Sequence, residues 1–331
     1  MKRVLLVGGG HAHAWILREG FPGEVALVSP YPHHTYSGML PGYVAGHYAA
    51  DEIRIDLAAL CARAGARLVI GRAAALDDAR RRARLEDGSV LEYDTASLDV
   101  GSEAGAPAHT LPAKPFEPFM ARWEEVRDRL RRVAVVGGGA AGVEMAMAIA
   151  CRTGAHVTLY SDRRMFRPGL ARRLARQLAA NGVELRAAAY APVDAGAPPD
   201  LVLWTAGAVA SPWLRASGLA VDARGFVLVD DRLRSVSHPN VFAAGDCATL
   251  RDAPHPKSGV YAVRHATVLL ANLRGADLPF APQRRALALL SCGRRYAIAE
   301  WGGMSWEGEW VWRWKDRIDR RWVEGFRAAT A

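Results

Sequence analysis

The chain is 331 residues long, half of them apolar and 23% charged, which is material for about two domains of ~150 residues. Such a composition excludes a disordered tail, a collagen-like repeat and a disulfide-stapled miniprotein. The net charge of +9 comes from arginine-rich stretches such as Arg80-Arg81-Arg82, which read as a solvated face, so no nucleic-acid partner is expected.

At the N-terminus, Lys2-Arg3 before an apolar run mimics a secretory signal. Only Val4 to Val7 is apolar before three glycines, short of the ~7–15 residues a signal needs. The run is predicted instead as a buried strand that feeds the turn Gly8-Gly9-Gly10, then a helix, then a second strand over Val25 to Val28. Residues 25–50 are uncharged, but Pro30, Pro32, Pro41 and their histidines make them a poor membrane span, and no transmembrane helix is expected. The same arrangement recurs with Val133 to Val136, the turn Gly137-Gly138-Gly139, a helix, and Val157 to Tyr160. Two βαβ units of dinucleotide-binding type are implied, so the fold class is α/β with two Rossmann-like domains.

The second unit satisfies the fingerprint in full. Gly137 permits the tight turn, Gly139 lets a pyrophosphate approach the backbone, and Gly142 lets the helix lie close to the strand. In the first unit Gly8 and Gly10 keep the first two roles, and His13 stands where the third glycine belongs. The acid that would bind a ribose at the end of the second strand is replaced by Ser29 in one unit and Ser161 in the other, with Asp162 next to it. A serine can still hydrogen-bond a ribose, whereas Arg163 and Arg164 suit a 2′-phosphate, so NADH and NADPH both stay open. Further on, Asp200 to Gly207 reads as a strand running into a small-residue turn, and Asn240 to Asp246 as a strand ending in Gly245-Asp246.

In this order the four motifs resemble the FAD-dependent pyridine nucleotide-disulfide oxidoreductase superfamily over nearly the whole chain. The resemblance implies that Gly8 and Gly10 hold the FAD pyrophosphate, and that Asp246 lies on the ribityl and phosphate side of the flavin. It places NAD(P)H on Gly137, Gly139 and Gly142, with Ser161, Asp162 and Gly207 nearby. His11, His13, Ser29, Pro41, Gly101, Gly245 and Tyr261 complete the expected FAD site. Cys61, Cys151, Cys247 and Cys292 form no CxxxxC and no zinc-ligand spacing, so the disulfide-reductase branches are excluded and reduced thiols of a cytoplasmic protein fit best. What remains is similar to the type II NADH dehydrogenase branch, through Gly142-Val143-Glu144. More narrowly, residues 10–15, 32–41, 97–101, 256–264 and 314–321 resemble the flavoprotein domain found fused in front of selenide, water dikinase, although no dikinase is expected after Ala331. The departures are His13, Ser29, and Asp99-Val100-Gly101 where relatives have Ala-Thr-Gly; all fall in the FAD half.

Hydride transfer from nicotinamide to flavin needs stacked rings and little side-chain chemistry. A helix starting after Pro256 would aim its N-terminus at the flavin, with Tyr261 in its first turn. Lys257 either adds a positive charge there or faces solvent, and Glu144 either relays a proton to the acceptor or caps or pairs with an arginine. No metal site is expected, because His11, His13, His33 and His34 show no recognised ligand set. His33, His34, Tyr31 and Tyr36 are expected beside the flavin ring.

Six of the ten tryptophans lie from Trp301 onward. On a helix, Trp310, Trp314, Ile318 and Trp322 form one apolar stripe, with arginines and Lys315 mostly elsewhere and Asp316 and Asp319 diluting the charge. Two readings are open: peripheral contact with the inner face of the membrane, or packing on the chain's own domain or a homodimer partner. The expected organisation is an FAD domain of residues 1–112 and 225–290, an inserted NAD(P)-binding domain of residues 113–224, and a C-terminal region from 291. The leading function is an FAD-dependent NAD(P)H oxidoreductase delivering electrons to a quinone or another small diffusible acceptor. The alternatives are a nucleotide-binding accessory protein in selenium metabolism, or a membrane-binding module with degenerate cofactor sites.

Overall fold

The computed structural model describes residues 2–162, 166–191, 198–283 and 285–327. Two five-stranded parallel sheets organise the chain. The first runs Val241–Ala243, Thr95–Leu98, Arg3–Val7, Glu24–Ser29, Arg67–Ile70. The second runs Leu111–Pro112, Leu201–Trp204, Arg132–Val136, His156–Tyr160, Val183–Arg186. Parallel strands are covered on both faces, which is why Val4 to Val7 and Val133 to Val136 are continuous apolar runs and are buried throughout. The chain leaves the first sheet after Leu98, builds the whole second sheet, and returns to the first at Val241. The second sheet is therefore inserted in the first.

Each glycine turn opens a helix. Ala140–Thr153 follows the second turn; it is rich in Ala and Met, good helix formers, and ends at Gly154 in the left-handed conformation. A β-carbon at Gly142 would collide with the Gly137 carbonyl, so helix and strand meet backbone to backbone there. His11–Glu19 follows the first turn, and its His13 is fully buried. The ring nitrogen Nδ1 lies 2.7 Å from the Gly8 carbonyl and Nε2 lies 2.8 Å from Ser97 Oγ. A carbonyl only accepts, so Nδ1–H donates to Gly8 and Nε2 accepts from the Ser97 hydroxyl. Burial holds this imidazole neutral, with its pKa lowered to about 4.

The C-terminal part is a three-stranded antiparallel sheet, Ala288–Ser291, Ala297–Trp301 and Met304–Gly308, that leads into the helix Glu309–Arg327. That helix buries Val311, Trp312, Val323 and Phe326 together with Lys315 and Asp319, whose ion pair spans 2.6 Å. Trp310, Trp314 and Ile318 face outward, at 54%, 38% and 40% exposure. Trp322, the fourth member of the expected stripe, instead turns inward and stacks on Trp15 with ring centroids 5.6 Å apart. Among the described residues, no helix is long and apolar enough to cross a membrane.

Candidate functional site

The first glycine turn opens onto a cleft of about 340 Å³, within the usual range for small-molecule sites. Gly8 takes φ +94°, a conformation that side chains rarely adopt. Around it, Gly10, His11, Ser29, Gly101 and Asp246 line the cleft, all of them expected from the sequence. A larger hollow of about 930 Å³ lies beside Tyr43, Glu124 and Arg127. Neither glycine turn reaches that hollow, and four of its charges form two mutual pairs, Arg127 with Glu124 at 2.8 Å and Arg54 with Glu117 at 2.5 Å. The chemistry-bearing residues are in the smaller cleft.

Lys114 and Glu117 are two of the charged side chains that line the cleft. The Lys114 ammonium donates to Asp246 Oδ2 at 2.6 Å and to Ser102 Oγ at 3.3 Å. Glu117 is contacted by Thr35, by His33 Nε2 at 2.9 Å and by Arg54. Burial alone would raise the Glu117 carboxyl, but these partners outweigh it and hold it at about 2. Two buried ring nitrogens, His11 Nε2 and His34 Nε2, have no hydrogen-bond partner among the described residues, and both residues line the cleft. Burial lowers both histidines, His11 to about 4, with Lys114 adding to the effect on His11. Their rings meet edge to face at 4.5 Å, and Tyr36 packs on His11 at 5.6 Å.

Other expected residues lie elsewhere. His13 sits behind the turn, and Pro41 is buried in the short helix Leu40–Val44. Gly245, at φ +65°, does not line the cleft but packs against the Asp99 carboxylate. Tyr261 does not line the cleft: it stacks on His255 at 4.2 Å and its hydroxyl donates to the Gln283 carbonyl. Lys257 does not reach the cleft either. Its ammonium donates to the Ala248 carbonyl and to Thr249 Oγ1 at 2.7 Å and lies over the Phe226 ring, so the side chain braces the far side of the Gly-Asp turn. Burial pushes its pKa down to about 8. Tyr31, His33 and His34 line the cleft as expected, whereas the Tyr36 ring turns under Trp322. Lys114 and Glu117 were not singled out in the sequence. Lys114 lies in a proline-rich crossover, where nothing local marks a lysine as functional.

At the second turn, Gly137 takes φ +120°, and a β-carbon at Gly138 would collide with Ser161 Oγ, so Ser161 closes against the loop with Asp162 beside it. Gly139 is the N-cap of Ala140–Thr153, and Gly207 turns at φ +68° where the strand Leu201–Trp204 ends. Arg163 and Arg164, the expected 2′-phosphate partners, lie outside the described residues.

Glu144, two residues past Gly142, pairs with no arginine among the described residues. Its carboxylate accepts from the Ser291 backbone N–H at 2.8 Å. Burial pushes its carboxyl up to about 7, opposed by the charge of Lys315 and by the Ser291 bond. Lys315 donates to Asp319 and to the Gly38 carbonyl, both at 2.6 Å, and the Tyr36 hydroxyl donates to Asp319 at 3.2 Å. Ser37, between Tyr36 and Gly38, lines the cleft. Glu144 is thereby linked to the cleft wall through Lys315 and the 36–38 loop.

Two glycine turns, each opening a helix beside a parallel sheet, one sheet inserted in the other, define a protein of the two-dinucleotide-fold class. The chain belongs to the pyridine nucleotide-disulphide oxidoreductase family, whose model matches residues 2–266. It is 22% identical over 284 residues to the NADH dehydrogenase-like protein YutJ of Bacillus subtilis, covering 77% of this chain and 79% of that one. It is 25% identical over 296 residues to the demethylphylloquinone reductase NdbB of Synechocystis, covering 76% and 73%. Among solved structures it resembles in fold the sulfide:quinone oxidoreductase of Aquifex aeolicus, with a TM-score of 0.79, 16% identity and coverage of 99% and 92%. The water-forming NADH oxidase of Lactobacillus brevis gives a TM-score of 0.75 at 21% identity, covering 91% and 75%. Despite the family's name, all four cysteines are free and none lines the cleft. Cys61, Cys247 and Cys292 are buried, and burial pushes the Cys247 thiol up to about 12.

Proposed function

We propose that the chain is an FAD-dependent NAD(P)H oxidoreductase that passes electrons to a quinone or another diffusible acceptor without a redox disulfide. The observation that carries this reading is the cleft at the first glycine turn, with a helix N-terminus on its wall and two unpartnered buried ring nitrogens. These residues fit a flavin dinucleotide: Gly8 and Gly10 carry no side chain that would hold a pyrophosphate off the backbone of the turn, and His11 and His34 have hydrogen-bonding capacity that no described residue uses. When bound, flavin supplies the capacity to take a hydride from a nicotinamide and hand its electrons to an acceptor.

The chain's own groups do the rest. Gly8 and Gly10 would let the backbone approach the pyrophosphate, Ser29, whose hydroxyl donates to the Tyr31 carbonyl at 2.8 Å, would have only acceptor capacity left for the adenosine ribose, and Asp246, held by Lys114, would face the ribityl side. Gly137, Gly139 and Gly142 shape the second turn for NAD(P)H, with Ser161, Asp162 and Gly207 around it. Glu144, poised near neutral pH, holds a proton beside Lys315 for delivery toward the acceptor. The flavin half comprises residues 1–110 and 225–290 and the NAD(P) half residues 111–224; the boundary falls earlier than the expected 112/113 because Leu111–Pro112 pairs as the edge strand of the second sheet. The outward Trp310, Trp314 and Ile318 make a peripheral contact with the inner face of the membrane, where a quinone would be met.

Anaerobic mixing with NADH or NADPH tests the central reading. The protein's flavin absorbance should bleach and return on adding a soluble quinone. Protein that stays colourless after incubation with FAD overturns it. For the membrane contact, Trp310→Ser with Trp314→Ser should abolish co-sedimentation with anionic liposomes at low salt while changing folding stability by under about 1 kcal/mol. Co-sedimentation that is absent in the unmodified protein would remove that part of the reading.

A further inference from the structure

The first glycine turn contains a charge that a dinucleotide cradle does not require. The carboxylate of Asp99 lies between Gly10 and Gly245, and a β-carbon on either glycine would collide with it. Its Oδ2 accepts from the backbone N–H of Ala12 at 2.8 Å and of His13 at 3.4 Å. Those amides belong to the first turn of His11–Glu19, the groups that a Rossmann helix offers to a pyrophosphate. Asp99 is 4% exposed. Among the described residues no cation pairs with it, because Lys114, the ammonium of this cleft, is committed to Asp246. The unpartnered His11 Nε2 on the wall of the same cleft marks the space independently as one built for a polar ligand.

We propose that Asp99 is an internal anion standing in the pyrophosphate subsite of the first glycine turn, which must be neutralised or displaced before a dinucleotide binds. This rests on the flavoprotein reading given above. The space that Gly10 keeps clear for a phosphate is the space the carboxylate fills, and two anions cannot share two amides in a buried site without heavy repulsion.

Protonation is the low-energy way to yield. Burial pushes the Asp99 carboxyl up to about 7; the two amides oppose the rise and the Asp246 charge adds to it. The groups that face Asp99 come from three elements. On the helix, His11 and His13 are neutral through burial. On the Gly-Asp turn are Asp246, paired with Lys114, and the buried Cys247 thiol. Behind it His265, lowered by burial to about 3, accepts through Nδ1 from the Gly245 N–H. Binding of FAD then takes up one proton at pH values above the Asp99 pKa, and affinity falls by about tenfold per pH unit there.

The test titrates the full-length apoprotein with FAD between about pH 6 and pH 8.5, reading flavin fluorescence and the melting temperature. Wild type is compared with Asp99→Asn and Asp99→Ala. The expected result is a wild-type affinity that weakens as pH rises, and variants that bind with little pH dependence and at least about tenfold more tightly at pH 8. Wild-type affinity that does not change with pH, or folded variants that bind FAD no more tightly at pH 8, overturns the proposal and leaves the flavoprotein reading standing. Failure of every form to bind FAD at any pH overturns both. Should neither variant fold, the pH dependence of the wild type decides alone.

Discussion

At the second glycine turn the helix Ala140–Thr153 touches its strand backbone to backbone, and Gly142 leaves no room for a single carbon atom. At the first, the corresponding position carries a whole imidazole, held by a carbonyl five residues back and a hydroxyl 84 residues further on. Close approach in one turn is enforced by the absence of a side chain. In the other, a hydrogen-bonded side chain fills a gap that a small residue, Ser97, opens on the neighbouring strand. The comparison shows that a fingerprint position specifies a spacing between helix and strand, and that two different chemistries can set it.

The comparison can be broken most sharply at Gly142. Gly142→Val should force the second helix off its strand, costing about 3 kcal/mol in urea unfolding, and abolish flavin reduction by NAD(P)H while flavin content is retained. Equal reduction rates in variant and wild type would show that the backbone contact is dispensable. At the first turn, His13→Gly should not restore a better fingerprint. It leaves a cavity and strips Ser97 and the Gly8 carbonyl of their partner, so a loss of about 2 kcal/mol is expected. A variant as stable as wild type would mean that the two turns are built alike after all.

Acid should separate the turns as well. The His13 pKa is about 4 when folded against an ordinary value of 6.5. The unfolded chain therefore binds more protons in that interval, and the stability His13 contributes is present above pH 6.5 and lost as pH falls through 4. Asp99 acts in the opposite sense. Its raised pKa, about 7 against 3.8, means that its contribution is present below 3.8 and lost as pH rises through 7. Urea midpoints measured across this range should show a shallower acid loss in a His13→Phe variant, and a higher midpoint at pH 8 in Asp99→Asn. The smallest effect is expected for Ser97→Ala, about 1 kcal/mol, since it removes one partner of a ring that keeps its bond to Gly8. No change there would place the whole burden on the Gly8 carbonyl.

The strands and glycine turns were legible because parallel strands covered on both faces demand continuous apolar runs, and tight turns demand glycine. Lys257 was misplaced because the start of a helix says nothing about which way a preceding side chain leaves the backbone. Here it crossed to Thr249 and Phe226 rather than to the cleft. Lys114 went unseen because its partner, Asp246, is 132 residues away. In the C-terminal helix the expected four-residue stripe divides: Trp310, Trp314 and Ile318 face outward, whereas Trp322 turns inward onto Trp15. Lys315 and Asp319, which charge alone would assign to solvent, are buried as a mutual pair. Periodicity identifies faces, and pairing over distance decides which face is covered.

An end of a helix that already has an acceptor does not wait for a ligand to complete it. With Asp99 on the amides of Ala12 and His13, the cradle is electrostatically finished as soon as the strand Thr95–Leu98 pairs with Arg3–Val7. Assembly of the polypeptide and capture of its prosthetic group then become separable events, so that a newly synthesised copy can mature and persist in a cell short of flavin.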